Sequence, residues 1–569
     1  MLNHAPASIR KRVSLCLLVL ALFCTCVPLS AAVGGEDVIL GGRDATGQNG
    51  VIATGRAECT EIGLEILKQG GNAVDAAVAV GFALGVCEQQ SSGIGGGGFM
   101  TLRLATGETF FLDFRDRSGA AASLDMWEVN PDGSVLNQEN KIGGKAVAVP
   151  GDVKGLLYAL ETYGTMDREA VMAPAIQMAE EGFVVSHITS RDIKDAYRAI
   201  LQHDSTAAIY LDEDWVPFEA GDVIRNPDLA RTLRLIADQG ESAFYRGEIA
   251  EKIVSAVQAD GGCLTLEDFA NYTINVTEPV HGTYRGYDIY SSNLPSSGGT
   301  IIVEMLNILE HFDVSALDPE SPAYFHLLSE VMKLCYADRA RYMGDPEYVD
   351  VPVAGLTNKA YAKAQAARID LNRSQTYEAA DPWPFESDST TSYAILDAAG
   401  NMVAVTKTVD ATFASGLVAE GMGILLNDTL FDFSTDPLSP NVVAGNKRPL
   451  SSMSPTLVLK DGQPVLVLGA PGATRIISGV LQVITKIIDH GMDVQAAIDA
   501  VRMHDDFGTL IIERRVDETV LEALRAMGHK VNASEVWFTF PCVQAVQRLD
   551  DGTLRGAADP RRDGKAAAY

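Results

Sequence analysis

The sequence predicts a layered α/β protein in which strands form the centre and helices cover the outside. Apolar residues recur at helical spacing over 58–68 and 72–86, a pattern that indicates helices with a buried face. Strand-like alternation dominates 99–115, and two runs rich in β-branched residues meet at a short turn within 391–410, which predicts a hairpin. Helical patterns return between and after these strands, as is typical of helices packed on central sheets.

The predicted elements follow one another without a linker, a repeat or a low-complexity tract. Gly70-Gly71 ends the first helix. Asn72 is a suitable N-cap for the second, because its side-chain oxygen can accept hydrogen bonds from the first helical N–H groups. The strand pattern that follows turns near Thr106-Gly107. Further helices are predicted at 150–163, 167–181, 226–239, 301–312, 322–342 and 474–490, with strands at 456–459 and 464–469.

The first 32 residues have the pattern of a secretory signal peptide. Residues 10–12 are basic, 13–27 are apolar, and 30–32 form a small-residue cleavage site. The apolar run is short for a membrane span, and Pro28 interrupts it. We therefore expect a secreted or periplasmic protein with no membrane association after signal removal; an uncleaved anchor is the alternative.

The chain is strongly acidic, with 75 Asp and Glu against 45 Lys and Arg and a formal net charge of −30. Residues 1–32 contain three basic and no acidic residues, so their removal makes the charge more negative still. Such a surface repels nucleic acid and predicts no nucleic-acid partner. The cysteines and histidines lack ligand spacing, which predicts no metal site. The cysteines outside the signal are expected to be buried small apolar residues: Cys59, Cys87, Cys263, Cys335 and Cys542.

The hairpin carries the strongest chemical signal. If Asp397 faces Asn401 across the turn, Thr390 faces Thr408, whereas a two-residue turn would shift this pairing by one. A threonine freed by backbone cleavage can act as a nucleophile with its own α-amine as the base. That amine has a reference pKa of ~7.7–8, which suits proton transfer at neutral pH. Taken alone, the hairpin is better explained as a threonine-rich strand pair that faces solvent.

Short motifs surround the hairpin in a definite order. They are 70–77 (GGNAVDAA), 91–100 (SSGIGGGGFM), 112–115 (LDFR), 389–393 (STTSY), 423–427 (GILLN), 432–434 (DFS), 447–456 (KRPLSSMSPT) and 469–477 (GAPGATRII). In this order and spacing they resemble the gamma-glutamyltransferase (gamma-glutamyltranspeptidase) family, from about residue 50 to residue 560. Each motif alone is weak, but the ordered set is highly specific.

The resemblance implies an α+β fold, the four-layer αββα sandwich of the N-terminal nucleophile hydrolases. One precursor would be cut between Ser389 and Thr390 into a large chain, 33–389, and a small chain, 390–569, that form one composite domain. Thr391 is the competing cleavage point. The implied activity is that of a gamma-glutamyltransferase/glutathione hydrolase, which forms a γ-glutamyl-enzyme and passes it to water or to an amino-acid or peptide acceptor, without a cofactor. The alternatives are a cephalosporin- or polyglutamate-type acylase of the same fold, and an unprocessed binding protein.

The resemblance also implies roles for individual residues. Thr390 matches the nucleophile, and Thr408 the threonine that hydrogen-bonds it. The remaining matches are Arg115, Ser451 and Ser452 for the substrate's α-carboxylate, Asp432 for its α-ammonium, and Gly472 with Ala473 for the oxyanion hole. An arginine suits a carboxylate because its planar guanidinium can bind both oxygens.

Five positions depart from the family pattern: Ser392, Asp410, Thr429, Phe431 and Ala473. Asp410 stands where the family usually has Asn, and Thr429 where it usually has Gln or Glu. Both belong to the pocket for the substrate's amino group. Ala473 replaces the second glycine of a Gly-Gly pair, where a positive φ would be costly for alanine. We expect a rewired amino-group pocket that accepts a γ-glutamyl head or prefers another amide.

Two loops complete the prediction. The run 93–98 fits a dinucleotide-binding fingerprint formally, but a helix precedes it and a strand follows, the reverse of the required context. We therefore expect a tight loop packed near the active site. The segment 433–446 is shorter than the corresponding loop of lid-bearing family members, which predicts a cleft without a full lid.

Overall fold

The computed structural model describes residues 42–377, 389–506, 508–535 and 540–569, and at Ser389 and Thr390 the backbone alone. The predicted signal peptide, 1–32, lies outside the described residues. Within these ranges, no helix has the length and apolar character needed to cross a membrane.

Two antiparallel sheets of seven strands each form the centre. The strands of the chain are β1 (Asp44–Gly47), β2 (Gly50–Thr54), β3 (Gly97–Arg103), β4 (Thr109–Phe114), β5 (Phe183–Val184), β6 (Val223–Ile224), β7 (Asn275–Thr277), β8 (Val280–Tyr284), β9 (Tyr287–Ser291), β10 (Ser389–Asp397), β11 (Met402–Asp410), β12 (Thr456–Lys460), β13 (Gln463–Gly469), β14 (Met503–His504), β15 (Thr509–Glu513), β16 (Lys530–Ser534), β17 (Gln544–Arg548), β18 (Leu554–Ala558) and β19 (Lys565–Ala568). The first sheet has the order β1-β18-β17-β13-β12-β9-β8, and the second has the order β19-β2-β10-β11-β3-β4-β7. Strands from both sides of the predicted cleavage point are neighbours in each sheet.

Helices lie against the outer faces of these sheets. They are α1 (Ala57–Lys68), α2 (Ala73–Cys87), α3 (Gln89–Ser92), α4 (Asp152–Tyr163), α5 (Arg168–Glu181), α6 (His187–Asp195), α7 (Tyr197–Ile200), α8 (Asp204–Tyr210), α9 (Pro227–Gln239), α10 (Glu241–Arg246), α11 (Glu248–Ala259), α12 (Leu266–Ala270), α13 (Gly298–Leu309), α14 (Pro322–Tyr342), α15 (Val353–Leu356), α16 (Lys359–Ala366), α17 (Arg475–Ile488), α18 (Val494–Asp499) and α19 (Glu518–Ala526).

Among the described residues, three of the apolar cores lie between the layers. On β10, Ala394 and Leu396 pack between the two sheets, whereas Tyr393 and Ile395 face the core that includes α1, α2 and α4. Successive strand side chains point to opposite faces, so a strand that is covered on both sides has to be apolar throughout. A third core joins the first sheet to α13, α14 and α17. This arrangement confirms the predicted αββα sandwich.

The predicted cap of the second helix is present. The Asn72 side chain accepts hydrogen bonds from the N–H groups of Val74 and Asp75. The Asp75 carboxylate in turn accepts a hydrogen bond from the Asn72 N–H, which completes a capping box. Every residue of α2 is buried, which explains its run of alanine, valine and glycine.

The cysteines are largely buried, as predicted. Cys59, Cys87, Cys335 and Cys542 are buried, whereas Cys263 is partly exposed, and all five are free thiols. Cys59 and Cys87 lie on adjacent helices with their sulfur atoms 3.4 Å apart.

Candidate active site

The hairpin has the predicted register over most of its length. Leu396 pairs with Met402, and the pairing continues without a shift to Thr391 and Lys407. Register of this kind fixes which side chains share a face of the sheet.

The ladder shifts by one residue at the start of β10. Ser389 pairs with Asp410, so the backbone of Thr390 lies opposite Thr408 and Val409, a bulge on β11. Asp410 has a φ of +87°, and its N–H donates to Thr408 Oγ1 at 2.8 Å. The bulge thus brings the Thr408 hydroxyl and the Asp410 backbone together beside the predicted cleavage point. The side chains of Ser389 and Thr390 lie outside the described structure.

The glycine run packs against this bulge. Gly97 pairs with Thr408 in the ladder between β3 and β11. A side-chain carbon on Gly96 would overlap the carbonyl oxygen of Thr408, so only glycine allows this approach. The loop near the active site that the sequence predicts is therefore present.

Arg115 and Asp432 form a buried ion pair. Arg115 Nη2 donates to Asp432 Oδ2, and the two side chains are 1% and 6% exposed. Tyr272 fixes the backbone of this arginine, because the Tyr272 hydroxyl donates to the Arg115 carbonyl at 2.9 Å. Arg115 Nε has no hydrogen-bond partner among the described residues. The pair therefore joins the residue predicted to bind the substrate's carboxylate to the residue predicted to bind its ammonium.

Two further carboxyl groups lie beside this pair. Within the described ranges, Asp410 Oδ2, Asp428 Oδ2 and Asp432 Oδ1 are buried and accept no hydrogen bond from an amide, hydroxyl or guanidinium group. Burial and the charges of Asp432 and Asp428 raise the pKa of Asp410 well above its usual value. Burial also raises the pKa of Asp428 to about 8. For Asp432, Arg115 opposes the upward effect of burial on the pKa. The raised pKa of Asp410 favours Asp410 as the member of this cluster that carries a proton.

We expect Asp410→Asn to keep near wild-type activity at neutral pH, because a protonated carboxyl and an amide are both neutral and both offer a donor. A raised pKa means that Asp410 ionises only at higher pH than a free carboxyl does. It then adds a second negative charge beside Asp432, whereas Asn cannot ionise. The alkaline fall of kcat/KM should therefore begin at higher pH in the variant than in the wild type. Both proteins share the titration of the Thr390 amine, so only the difference between the two pH profiles is diagnostic. Superimposable profiles would contradict this assignment of the proton.

Thr429 hydrogen-bonds a residue that the sequence prediction missed. Its hydroxyl donates to Asp116 Oδ2 at 3.0 Å, and both residues are fully buried. Burial raises the pKa of Asp116 to about 8. Asp116 directly follows Arg115 and Asp428 directly precedes Thr429, so adjacency to a predicted site residue was the available signal for both.

The two predicted serines are buried, and a hydrogen bond from an arginine fixes the second of them. Ser451 and Ser452 are buried, and Ser452 Oγ accepts a hydrogen bond from Arg339 Nη2 at 2.8 Å. Arg339 was also missed by the sequence prediction, because nothing local to 339 indicates a contact with a loop more than a hundred residues away.

The predicted oxyanion turn places Ala473 at the positive φ that the sequence analysis identified as costly for alanine. Gly472 has a φ of +127°, and Ala473 has a φ of +54°. Alanine therefore adopts the left-handed conformation here, at a cost of about 1–2 kcal/mol. The backbone N–H groups survive the change from glycine.

Ala473→Gly should relieve this strain and leave activity within about threefold, because no donor is lost. Glycine is more flexible in the unfolded chain, which offsets about 0.5–1 kcal/mol of the gain, so we expect the midpoint of thermal unfolding to be unchanged or slightly raised. The matched control is Gly472→Ala, because the φ of Gly472 lies beyond the left-handed well and an added carbon would lie 3.3 Å from Pro541 Cα. That control should lower both stability and kcat. A marked loss of stability in Ala473→Gly would contradict the interpretation.

The segment 433–446 folds back onto its own base. Ser434 N–H donates to Asn441 O at 2.9 Å, and Lys447 Nζ donates to the carbonyls of Pro440 and Val442, each at 2.8 Å. Asn441 Nδ2 donates to the carbonyl of Asp432 at 2.7 Å. These contacts hold the segment as a short closed loop.

Among the residues that the structure describes, one group of potential metal ligands lies outside this site. Ligand atoms of His326, Glu330 and His529 lie within 4.8 Å of one another. His326 Nδ1 and His529 Nε2 are only 2.7 Å apart, a hydrogen-bond distance shorter than the roughly 3.3 Å between two nitrogen ligands of zinc. Glu330 accepts from Lys333 Nζ at 2.6 Å and from the Tyr377 hydroxyl at 2.8 Å. Lys333 thus supplies the positive charge that this carboxylate needs.

The similarity to known proteins extends over both predicted chains. The model of the gamma-glutamyltranspeptidase family matches residues 59–569. The glutathione hydrolase proenzyme of Escherichia coli (strain K12) is 42% identical over 551 residues, 94% of each chain. The acylase ACY 1 proenzyme of Pseudomonas sp. (strain V22) is 38% identical over 531 residues, 92% of this chain and 94% of that protein. The crystal structure of cephalosporin acylase from Bacillus halodurans has a TM-score of 0.85 at 29% identity, and the match covers 96% of this chain and 99% of that one.

Proposed function

The chain belongs to the gamma-glutamyltranspeptidase family, and from this premise we propose that it transfers the γ-glutamyl group of glutathione or a related amide to water or to an amino-acid or peptide acceptor. The precursor cuts itself between Ser389 and Thr390, and Thr390 is then the nucleophile. The bulge that sets the Thr390 backbone opposite Thr408 supports this role, because it places a hydroxyl next to the cleavage point.

The first reaction is the cleavage itself. The Thr390 hydroxyl attacks the Ser389 carbonyl carbon, and the peptide C–N bond breaks to give an ester and a free α-amine. Water then hydrolyses the ester, which releases the large chain with Ser389 as its new carboxylate end. The products are a free hydroxyl and a neighbouring amine base, the pair that nucleophilic catalysis by threonine needs.

The second reaction is transfer. The Thr390 amine takes the hydroxyl proton while the oxygen attacks the γ-carbonyl carbon of the donor. The backbone N–H groups of Gly472 and Ala473 stabilise the resulting oxyanion, a contribution of about 2.7–4 kcal/mol for one such donor. The amide bond breaks, and the departing amine takes the proton. Water or an acceptor amine then attacks the γ-glutamyl ester and frees Thr390.

One observation favours a γ-glutamyl donor over a donor that has the carboxylate but lacks the ammonium group, such as a glutaryl amide. Asp410 and Asp432 lie beside Arg115, Asp428 lies beside these two aspartates, and each of the three has a buried oxygen atom without a hydrogen-bond partner within the described structure. An ammonium group supplies three N–H donors and a positive charge. The zwitterionic head of a γ-glutamyl group can replace the Arg115–Asp432 pair with two new pairs, carboxylate to arginine and ammonium to aspartate. A glutaryl chain has no ammonium, so its carboxylate would take Arg115 away from Asp432 and leave that buried carboxylate without a paired cation, which is costly.

The experiment compares L-γ-glutamyl-p-nitroanilide with glutaryl-p-nitroanilide. We expect kcat/KM to favour the γ-glutamyl donor at least about 100-fold, because a site built to hydrogen-bond a group strongly rejects the analogue that lacks it. Asp432→Asn is the matched variant and should narrow that ratio. A preference for the glutaryl donor would establish the acylase alternative, which the Pseudomonas and Bacillus halodurans relatives represent. Precursor that stays uncut and inactive would establish the binding-protein alternative.

The short loop at 433–446 bears on whether the γ-glutamyl-enzyme reacts with water or with an acceptor. Lids protect covalent intermediates by excluding water, and this loop is held at its own base. We therefore expect hydrolysis to compete well with transfer, and γ-linked glutamate oligomers to be accepted as donors. Product partitioning with a dipeptide acceptor checks this. Transfer that dominates at low acceptor concentration, with oligomers refused, would contradict it.

We also propose that the protein is exported, on the basis of the signal-like pattern in 1–32. N-terminal sequencing of the large chain from cells that express the precursor should give a start at Val33. A large chain that retains Met1 would contradict export by cleavage.

A further inference from the structure

Helix α14 contacts both loops that supply donors in the proposed reaction. Its residues Tyr336 and Arg339 lie one turn apart on the same face. The Tyr336 hydroxyl donates to the carbonyl of Thr474 at 2.6 Å, directly after Ala473 of the oxyanion turn. Arg339 Nη2 donates to Ser452 Oγ at 2.8 Å.

Arg339 also fixes the neighbouring serine through a relay. Its Nε donates to Ser297 Oγ at 2.8 Å. The Ser297 hydroxyl donates in turn to the carbonyl of Ser451 at 2.7 Å, and the Ser297 N–H donates to the same carbonyl at 2.8 Å. One guanidinium group therefore sets the positions of both serines, because its donors have a rigid planar geometry.

The charge of Arg339 acts on the same pocket. The residue is 8% exposed, and burial lowers its pKa to about 10, which leaves it positively charged at neutral pH. Together with Arg115 it opposes the upward shift of the Asp432 pKa. The charges of both arginines therefore act on the Asp432 carboxylate in a region of low polarity, where charges interact strongly.

We propose that Arg339 is a positioning residue for recognition of the substrate's α-carboxylate, because it aligns Ser451 and Ser452 as hydroxyl donors. This inference rests on the proposed function, which assigns the two serines to that carboxylate. Ser452 Oγ accepts from the guanidinium, so its own O–H bond is polarised and becomes a stronger donor. Tyr336 acts in parallel on the oxyanion turn.

The test uses Arg339→Lys and two donors, L-γ-glutamyl-p-nitroanilide and the analogue whose α-carboxylate is a carboxamide. Lysine keeps a positive charge but cannot hold Ser297 and Ser452 in one planar fork. We expect kcat/KM for the carboxylate donor to fall about 10- to 100-fold, mainly through KM. The carboxamide donor should lose less than about threefold relative to the wild type.

Two more variants separate positioning from general damage. Tyr336→Phe removes the bond to Thr474 and should lower kcat for both donors by the same factor. Ser297→Ala interrupts the relay while Arg339 keeps its charge. It should lower kcat/KM selectively for the carboxylate donor, by a smaller factor than Arg339→Lys does. If Arg339→Lys fails to fold or to process, Ser297→Ala decides the question.

Equal losses on both donors in Arg339→Lys and in Ser297→Ala would overturn the inference. A wild-type enzyme that turns over no γ-glutamyl donor would instead overturn the proposed function. The two failures are therefore distinguishable in the same experiment.

Discussion

Thr390→Ala should remain a single uncut chain and should lose at least about 10⁴-fold in turnover of a γ-glutamyl-anilide. The variant has no hydroxyl to attack the Ser389 carbonyl, so neither the ester nor the free amine forms. Without nucleophile and base, the reaction retains only binding and the oxyanion donors, and removing members of a catalytic unit typically costs a factor of this size. Gel analysis and intact mass measure the cleavage, and kcat/KM measures the turnover.

The matched control is Thr391→Ala, one residue further along the same strand. The Thr391 hydroxyl donates to Glu88 Oε2 at 2.8 Å and is buried, so its loss should reduce stability modestly. It should still process and retain activity. If Thr391→Ala blocks cleavage while Thr390→Ala is cut, the nucleophile is Thr391 and the assignment of Thr390 is wrong.

Arg115→Ala should lower kcat/KM for γ-glutamyl-anilide about 10- to 100-fold more than for its α-ester. A hydrogen bond to a charged group typically contributes about 1.5–3 kcal/mol, and the ester lacks the charge that Arg115 would bind. The substitution also leaves Asp432 buried beside Asp410 without its cation, which is destabilising, so the yield of folded protein has to be measured alongside the kinetics.

Arg115→Lys and Arg448→Lys form a matched pair for this prediction. Arg448 is another buried arginine, whose Nε lies 3.3 Å from Asp113 Oδ2. The same chemical change at both positions should cost stability, but only Arg115→Lys should alter the ratio between the acid and the ester. An unchanged ratio in both Arg115 variants would mean that Arg115 does not bind the carboxylate.

The parts of the site that the sequence predicted are those with local signals. The register of β10 and β11 follows from β-branched runs on both sides of a three-residue turn, and the cap at Asn72 from its position before a helical pattern. The glycine run at 93–98 was predicted to pack near the active site because its context excluded a nucleotide loop. Each of these inferences depends on neighbours in the chain, where geometry is restricted most strongly.

The parts that could not be predicted depend on contacts between distant residues. Thr429 bonds Asp116 across 313 positions of the chain, and Arg339 bonds Ser452 across 113. The sequence showed that Asp410 replaces the family's usual Asn, but its protonation depends on burial beside Asp432, which no local pattern reveals.

The short strands β17, β18 and β19 were missed for a related reason. They are only four or five residues long, and their pairing partners lie far away in the chain. β19 completes the second sheet beside β2, and β18 lies beside β1 in the first sheet.

The central claim is that Thr390, freed by cleavage, carries the γ-glutamyl group. Its most direct test is the intact mass of the small chain, recorded after rapid acid quenching with and without γ-glutamyl-p-nitroanilide. The proposed mechanism predicts a small chain that begins at Thr390 and gains the mass of one γ-glutamyl group in the presence of the donor. A small chain that begins at another residue, or γ-glutamyl-enzyme mass found only on the large chain, would contradict it.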